Sequence, residues 1–144
     1  LRPALEALVL EHKIPVLGIC VGMQMLASGS DEGQLPGLNW VPGRVKAFAQ
    51  HPELQALPMP HMGWNDVQFC AGHPLFCDFE AASRFYFLHS YYFEAADKAD
   101  VVATAEYGID FDCIVSRSNV HGIQCHPEKS HRFGAQFLKN FAEL

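Results

Sequence analysis

A short apolar run, Ile14 to Ile19, opens after Lys13, closes on Gly18-Ile19-Cys20-Val21-Gly22 and passes straight into a helix-like segment, Val21 to Ala27. An unalternating apolar run of this length reads as a buried strand. Met23, Leu26 and Ala27 are spaced to face a core from the helix. A strand that turns sharply into a helix at a cysteine flanked by glycines has the layout of a nucleophile elbow, with Cys in place of the usual Ser. The sharp turn pushes the side chain out at the carboxyl edge of a sheet. Gly18 and Gly22 let neighbouring backbone approach where a Cβ would clash. The helix N-terminus stabilises a thiolate and offers backbone N–H groups, that of Val21 first, to an oxyanion. The plain alternative is a core cysteine between two incidental glycines.

The rest of the chain reads as one α/β domain, residues 1–144, with a mixed sheet and flanking helices. Leu5, Leu8 and Val9 give Leu1 to His12 a helical spacing, and Ser28 to Asn39 is a loop rich in Gly, Ser, Asp and Pro. Val41–Ala49, His61–Phe69, Ser83–Phe93, Val101–Tyr107, Phe111–Ser116 and Val120–Cys125 read as strands. Phe85-Tyr86-Phe87-Leu88 is apolar on both faces and so predicts a central strand. Ser118-Asn119 forms the turn between the last two strands. Ser130 N-caps a final helix with Phe133, Phe137, Leu138 and Phe141 on one face.

Composition narrows the function. A net charge of -6 argues against nucleic acid as the main partner, which would need clustered Lys and Arg. There is no long uncharged apolar run to span a membrane and no signal-peptide pattern at Leu1–Leu10. Five cysteines, an odd number with no C-x-x-C, favour reduced thiols in the cytoplasm over a disulfide framework or a zinc ribbon.

A cysteine nucleophile needs a base, and the base needs an orienting group. Gln124-Cys125-His126-Pro127-Glu128-Lys129-Ser130 supplies both. In an extended segment His126 and Glu128, two apart, point to the same side, and Pro127 stiffens the link. A carboxylate beside the imidazole fixes its tautomer and stabilises the imidazolium paired with a thiolate. Eight histidines make a chance neighbour possible, but H-P-E between a strand and a capped helix is a more specific pattern.

Together, the elbow and the H-P-E segment resemble the class I (triad) glutamine amidotransferases, which carry G-x-C-x-G-x-Q and H-P-E. Pro42-Gly43-Arg44-Val45, His61-Met62-Gly63-Trp64-Asn65, Phe87-Leu88-His89-Ser90-Tyr91-Tyr92 and His126-Pro127-Glu128-Lys129-Ser130 look more narrowly like the glutaminase subunits of imidazole glycerol phosphate synthases. The resemblance covers nearly the whole chain. It implies a flavodoxin-like class I glutamine amidotransferase sheet. Cys20 would attack the glutamine side-chain amide, His126 would protonate the departing ammonia and activate water, and Glu128 would orient His126. Val21, Gly22, Gln24, His89, Ser90 and Tyr91 would help bind glutamine. The ammonia would pass to a (β/α)8-barrel synthase subunit that makes imidazole glycerol phosphate in histidine biosynthesis, in a heterodimer. Trp64 and Lys129 match positions near the subunit interface.

The residues keep plainer readings beside these. Trp64 fits a core as well as an interface, Lys129 fits a solvated surface, and Ser90 and Tyr91 fit ordinary strand positions. No cofactor or metal is implied, since thiol, imidazole and water suffice for amide hydrolysis. A metal site from Cys125, His126 and His131 matches no common ligand spacing.

Relative to the family, the chain starts too close to the cysteine. The first strands and a glycine-rich segment that completes the oxyanion hole are not in it, so the domain is expected to be N-terminally incomplete. Loss of one oxyanion donor costs on the order of 100- to 1,000-fold in rate. Cys125 stands where the family has an aromatic residue, and alternation turns it away from Cys20 into the core. Two other functions are compatible with the motifs: a paralogous glutaminase serving another synthase, such as a surface-sugar amidotransferase, or a truncated interaction module without turnover.

Overall fold

The computed structural model describes residues 1–144. It is a mixed α/β structure of ten strands and three α-helices: α1 Arg2–Glu6, β1 Val16–Ile19, α2 Val21–Met25, β2 Gly29–Ser30, β3 Gly43–Ala47, β4 His61–Asp66, β5 Gln68–Phe69, β6 Arg84–His89, β7 Tyr91–Ala95, β8 Val101–Glu106, β9 Asp110–Arg117, β10 Val120–Ile123 and α3 His131–Ala142. A π-helical turn, Ala7–Glu11, continues α1 and buries Val9, while Leu5 and Leu8 stay partly exposed.

The main sheet runs β1-β10-β9-β7-β3-β2. Strand β9 organises it. Its Ile114 and Val115 pair with β8 on one edge and β10 on the other, and Asp112 meets Phe93 of β7 on the β10 side. Strands β9 and β10 form a two-residue hairpin, with Arg117 opposite Val120 and Ser118 at φ 55° in the turn. Strand β1 joins β10 in parallel, Val16 to Ile19 against Val120 to Ile123.

Four strand expectations change. Strand β1 is half-buried instead of buried, because it lies at the sheet edge with β10 as its only neighbour. The run Ser83–Phe93 is two strands in different sheets, interrupted at Ser90. Strand β6 is not central: it pairs only with β4, in a separate two-stranded sheet. His61–Phe69 likewise divides into β4 and β5, which belong to different sheets.

Two apolar clusters fill the interior. The larger is aromatic, with Phe48, Phe76, Phe85, Phe87, Phe111 and Phe137 at its centre and Cys113 and Cys125 filling small gaps. The smaller joins Met23, Leu26 and Ala27 of the α2 segment to Val45, Phe93, Val115 and Val120 of the sheet. Helix α3 buries Phe137 but leaves Leu138 at the surface. Gly134 lets α3 press onto the turn at Pro127: a Cβ there would stand 1.7 Å from the Pro127 carbonyl oxygen.

Candidate active site

Cys20 sits between β1 and α2 with φ 53° and ψ -108°. A side chain in this region of φ/ψ space is strained by roughly 1–3 kcal/mol, and such strain is the mark of an elbow that holds one side chain out of the turn. Gly18 makes the turn possible. A Cβ on Gly18 would lie 2.5 Å from the carbonyl carbon and oxygen of Gly22 and 2.7 Å from the Met23 nitrogen. Gly22 plays no matching part, because nothing lies within 4 Å of the place its Cβ would occupy.

The Cys20 sulfur takes part in two hydrogen bonds beyond its own turn. Its thiol donates to the Leu88 carbonyl oxygen at 3.9 Å, and the Gln124 side chain donates Nε2–H to the sulfur at 3.6 Å. The thiol is held above its ordinary value of 9.0. Burial is the main cause; the Val21 backbone N–H and the Gln124 amide pull the other way, while the Glu128 carboxylate adds to the rise. A helix of five residues therefore does not outweigh desolvation here, contrary to the expectation that its N-terminus favours the thiolate.

The second motif arrives through the sheet. The Cys20 backbone N–H donates to the Ile123 carbonyl at 2.8 Å, so the elbow and the end of β10 are hydrogen-bonded neighbours. Gln124 follows, then Cys125, fully buried and pushed well above the ordinary thiol range by burial. His126 comes next, with Nδ1 2.6 Å from Glu128 Oε1. The segment is not extended: Pro127–Lys129 is a 3-10 turn, and the turn itself brings the carboxylate back to the ring. His126 Nε2 is buried and has no hydrogen-bond partner, so it is not bonded to the Cys20 sulfur in this resting geometry.

Ser130 occupies the N-cap position of α3, but its hydroxyl makes no cap bond. It donates to the His126 carbonyl at 2.6 Å and accepts from the Tyr86 backbone N–H at 2.9 Å. The hydroxyl thereby ties the H-P-E turn to β6. The His126 backbone N–H, donating to the Tyr86 carbonyl at 2.9 Å, makes a second tie.

The remaining predicted residues separate into a wall, a support and a surface. Val21 and Gln24 line a cavity of about 260 Å³ beside α2 with Met25, Ser30, Glu32 and Leu35. Glu32, the one charged group on that lining, went unnoticed in the sequence because it lies in a loop without a motif. Gln24 Nε2 donates to the Tyr91 carbonyl at 3.3 Å and to Gln124 Oε1 at 3.0 Å. Ser90 is exposed and Tyr91 half-buried.

His89 is buried, and both its ring nitrogens are taken by the protein: Nδ1 bonds the Tyr91 carbonyl at 2.7 Å and Nε2 the His61 ring at 2.9 Å. It supports the wall and presents no free nitrogen to a ligand. Trp64 is 39% exposed on β4 and stacks on His131 at 5.4 Å. Lys129 is exposed, with Nζ 5.9 Å from the centre of the Tyr86 ring. No group of three His, Cys, Asp or Glu side chains is placed to hold a metal, and all five cysteines are free.

Comparison with known proteins decides the family. The model of the class-I glutamine amidotransferases matches residues 2–144. The chain belongs to the class-I glutamine amidotransferase family. Among curated relatives, the imidazole glycerol phosphate synthase subunit HisH of Bdellovibrio bacteriovorus is 56% identical over 144 residues, all of this chain and 71% of the relative. The subunit of the same name from Leptospira borgpetersenii is 50% identical over the same span. The fold is shared with a glutamine amidotransferase of Thermotoga maritima, with a TM-score of 0.63 at 22% identity. That match covers 97% of this chain and 52% of the solved one, so the chain spans about half the length of that solved protein. No helix is long and apolar enough to cross a membrane.

Proposed function

We propose that the chain is the glutamine-hydrolysing part of an imidazole glycerol phosphate synthase, with Cys20 as nucleophile, His126 as proton carrier and Glu128 as its orienting carboxylate. The observation that carries this reading is the state of the His126 ring. Glu128 holds Nδ1 at 2.6 Å, which leaves Nε2 as the reactive nitrogen, and Nε2 is buried with no partner. An unsatisfied buried nitrogen is costly and calls for an explanation in function. Here it lies two residues beyond Gln124, whose side chain touches the nucleophile.

In the reaction, the sulfur turns from the Leu88 carbonyl toward His126, and Nε2 takes its proton. The thiolate bonds to the side-chain carbonyl carbon of glutamine, and the carbonyl electrons move to oxygen, which accepts the Val21 N–H. The imidazolium gives its proton to the amide nitrogen, the C–N bond breaks and ammonia leaves. Water, deprotonated by His126, then attacks the thioester carbon. Glutamate departs and the thiol is restored. The cavity beside α2 suits the amino-acid end of the substrate, with the Glu32 carboxylate complementary to its α-ammonium.

The close relatives are named as subunits of imidazole glycerol phosphate synthases, which supports a synthase partner; the partner proposed is a (β/α)8 barrel that takes up the ammonia, in a cytoplasmic heterodimer for histidine biosynthesis. Met62 and Trp64, exposed on β4, together with Lys129 on the neighbouring turn, form the face proposed to meet it.

The test is Cys20→Ala in the whole protein with its barrel partner. Glutamine-dependent product should vanish while ammonium-dependent product persists. Retained glutamine hydrolysis would overturn the assignment of the nucleophile. Hydrolysis that the histidine-pathway barrel does not stimulate would point to a paralogous synthase.

A further inference from the structure

We infer that Gln124 is a positioning residue for the nucleophile: its side-chain N–H holds the Cys20 sulfur and supplies a hydrogen-bond donor to the charge that develops there. The inference rests on the reading of Cys20 as nucleophile.

Donor and acceptor parity fixes the orientation of the amide. The Tyr91 carbonyl can only accept, so the Gln24 atom facing it must be Nε2, as found at 3.3 Å. The same nitrogen has a second hydrogen, which goes to Gln124 at 3.0 Å. The Gln124 atom receiving it must be the acceptor Oε1. Oε1 is thus committed to Gln24, and Nε2 is left facing the sulfur at 3.6 Å. One backbone carbonyl therefore sets the polarity of the whole row from Tyr91 through Gln24 and Gln124 to Cys20. Gln124 is fully buried, so water cannot replace it. The thiol sends its own hydrogen to Leu88, which leaves the sulfur lone pairs for the Gln124 donor. An N–H···S bond to a neutral thiol is weak and strengthens on ionisation. The residue thus favours the charged sulfur over the resting one.

The experiment compares the whole protein with Gln124→Met, which keeps the length and removes the donor, and Gln124→Glu, which sets a carboxyl group against the sulfur. Alkylation of Cys20 by iodoacetamide, followed on its own peptide, is measured against pH. Below the midpoint the Met variant should react roughly 10- to 100-fold more slowly at a given pH, with the midpoint moved upward, and the Glu variant at least as slowly. A Met variant that is folded and reacts within about twofold of the unchanged protein across the pH range overturns the inference.

Should Gln124→Met fail to fold, the unchanged protein decides. With nitrogen-15-labelled glutamine, the Gln124 side-chain amide signal should shift as Cys20 ionises and should stay fixed in Cys20→Ser. A signal that ignores the ionisation overturns the inference. Neither readout needs glutamine turnover. If Cys20→Ala leaves glutamine hydrolysis intact, the proposed function fails while the alkylation profile still reports on Gln124.

Discussion

His61 and His89 face each other across β4 and β6 and share one hydrogen: His61 Nδ1 donates to His89 Nε2 over 2.9 Å. The direction follows from their other partners. The Tyr91 carbonyl accepts, so His89 Nδ1 carries a hydrogen and its Nε2 must be the acceptor. Asn65 Nδ2, 3.3 Å from His61 Nε2, completes the row. Both rings are neutral in this arrangement, and a proton added to either receiving nitrogen would break a bond.

Acid should therefore unfold the protein early. Burial, as the main cause, lowers both His61 and His89 from 6.5 to about 4. Between those values the unfolded chain takes up protons that the folded one refuses. The stability these rings contribute is complete above pH 6.5 and drains away as pH falls toward 4. By pH 5 the loss should be on the order of 2 kcal/mol per ring. Urea unfolding at pH 7 and at pH 5 measures it, and equal midpoints would contradict the assignment of neutral rings.

The thiol should titrate late in the absence of substrate. Burial holds Cys20 above 9.0, so its alkylation rate should climb about tenfold per pH unit through neutrality and show no plateau below pH 9. A plateau near pH 7 would mean that the free protein already keeps an ion pair with His126.

Gly18→Ala and Gly22→Ala should differ sharply. At Gly18 the new methyl would sit 2.5 Å from fixed backbone of α2, and at Gly22 it would meet nothing within 4 Å. The first should cost about 1–3 kcal/mol or more through overpacking. The second should be neutral or stabilising by up to about 1 kcal/mol, since Ala is the better helix former. Thermal unfolding of the two variants, side by side, tests the contrast.

Ser130→Ala should weaken both stability and turnover. It leaves the Tyr86 N–H and the His126 carbonyl without their shared hydroxyl. An abandoned buried donor costs about 1–3 kcal/mol. Because the tie orients the H-P-E turn and makes no contact with the cavity beside α2, kcat should fall while KM holds. A rise in KM alone would show that the hydroxyl serves binding instead.

The elbow and the pairing of His126 with Glu128 were legible because each depends on neighbours in sequence, although the pairing comes through a 3-10 turn and not an extended segment. Gly18 opposes Gly22 and Met23 only a few residues on, and the hairpin at Ser118-Asn119 needs only a two-residue turn between strands. Failures came where a distant partner decides. The run through Phe85 to Leu88 is apolar on both sides because Phe85 and Phe87 enter the aromatic core while Tyr86 pairs with Trp64 and sits under Lys129. From sequence, that pattern cannot be told from a strand inside a large sheet. Ser130 carries the signature of a helix cap, yet its hydroxyl is claimed by β6, 44 residues away. Gln124 is read as one more residue of a strand until Gln24, 100 residues away, is seen to face it.

The parallel pairing of β1 with β10 puts Gly18 beside Gly122 and Ile19 beside Ile123, rung against rung. Cys20 follows the last rung of this two-rail ladder directly on one rail, and His126 comes three residues after it on the other. Sliding one rail by a single step would swing the thiol to the other side of the sheet. The placement of Cys20 against the end of β10 is thus graduated by main-chain spacing. Redesign of the surrounding wall for another amide leaves that graduation untouched so long as the two rails stay aligned.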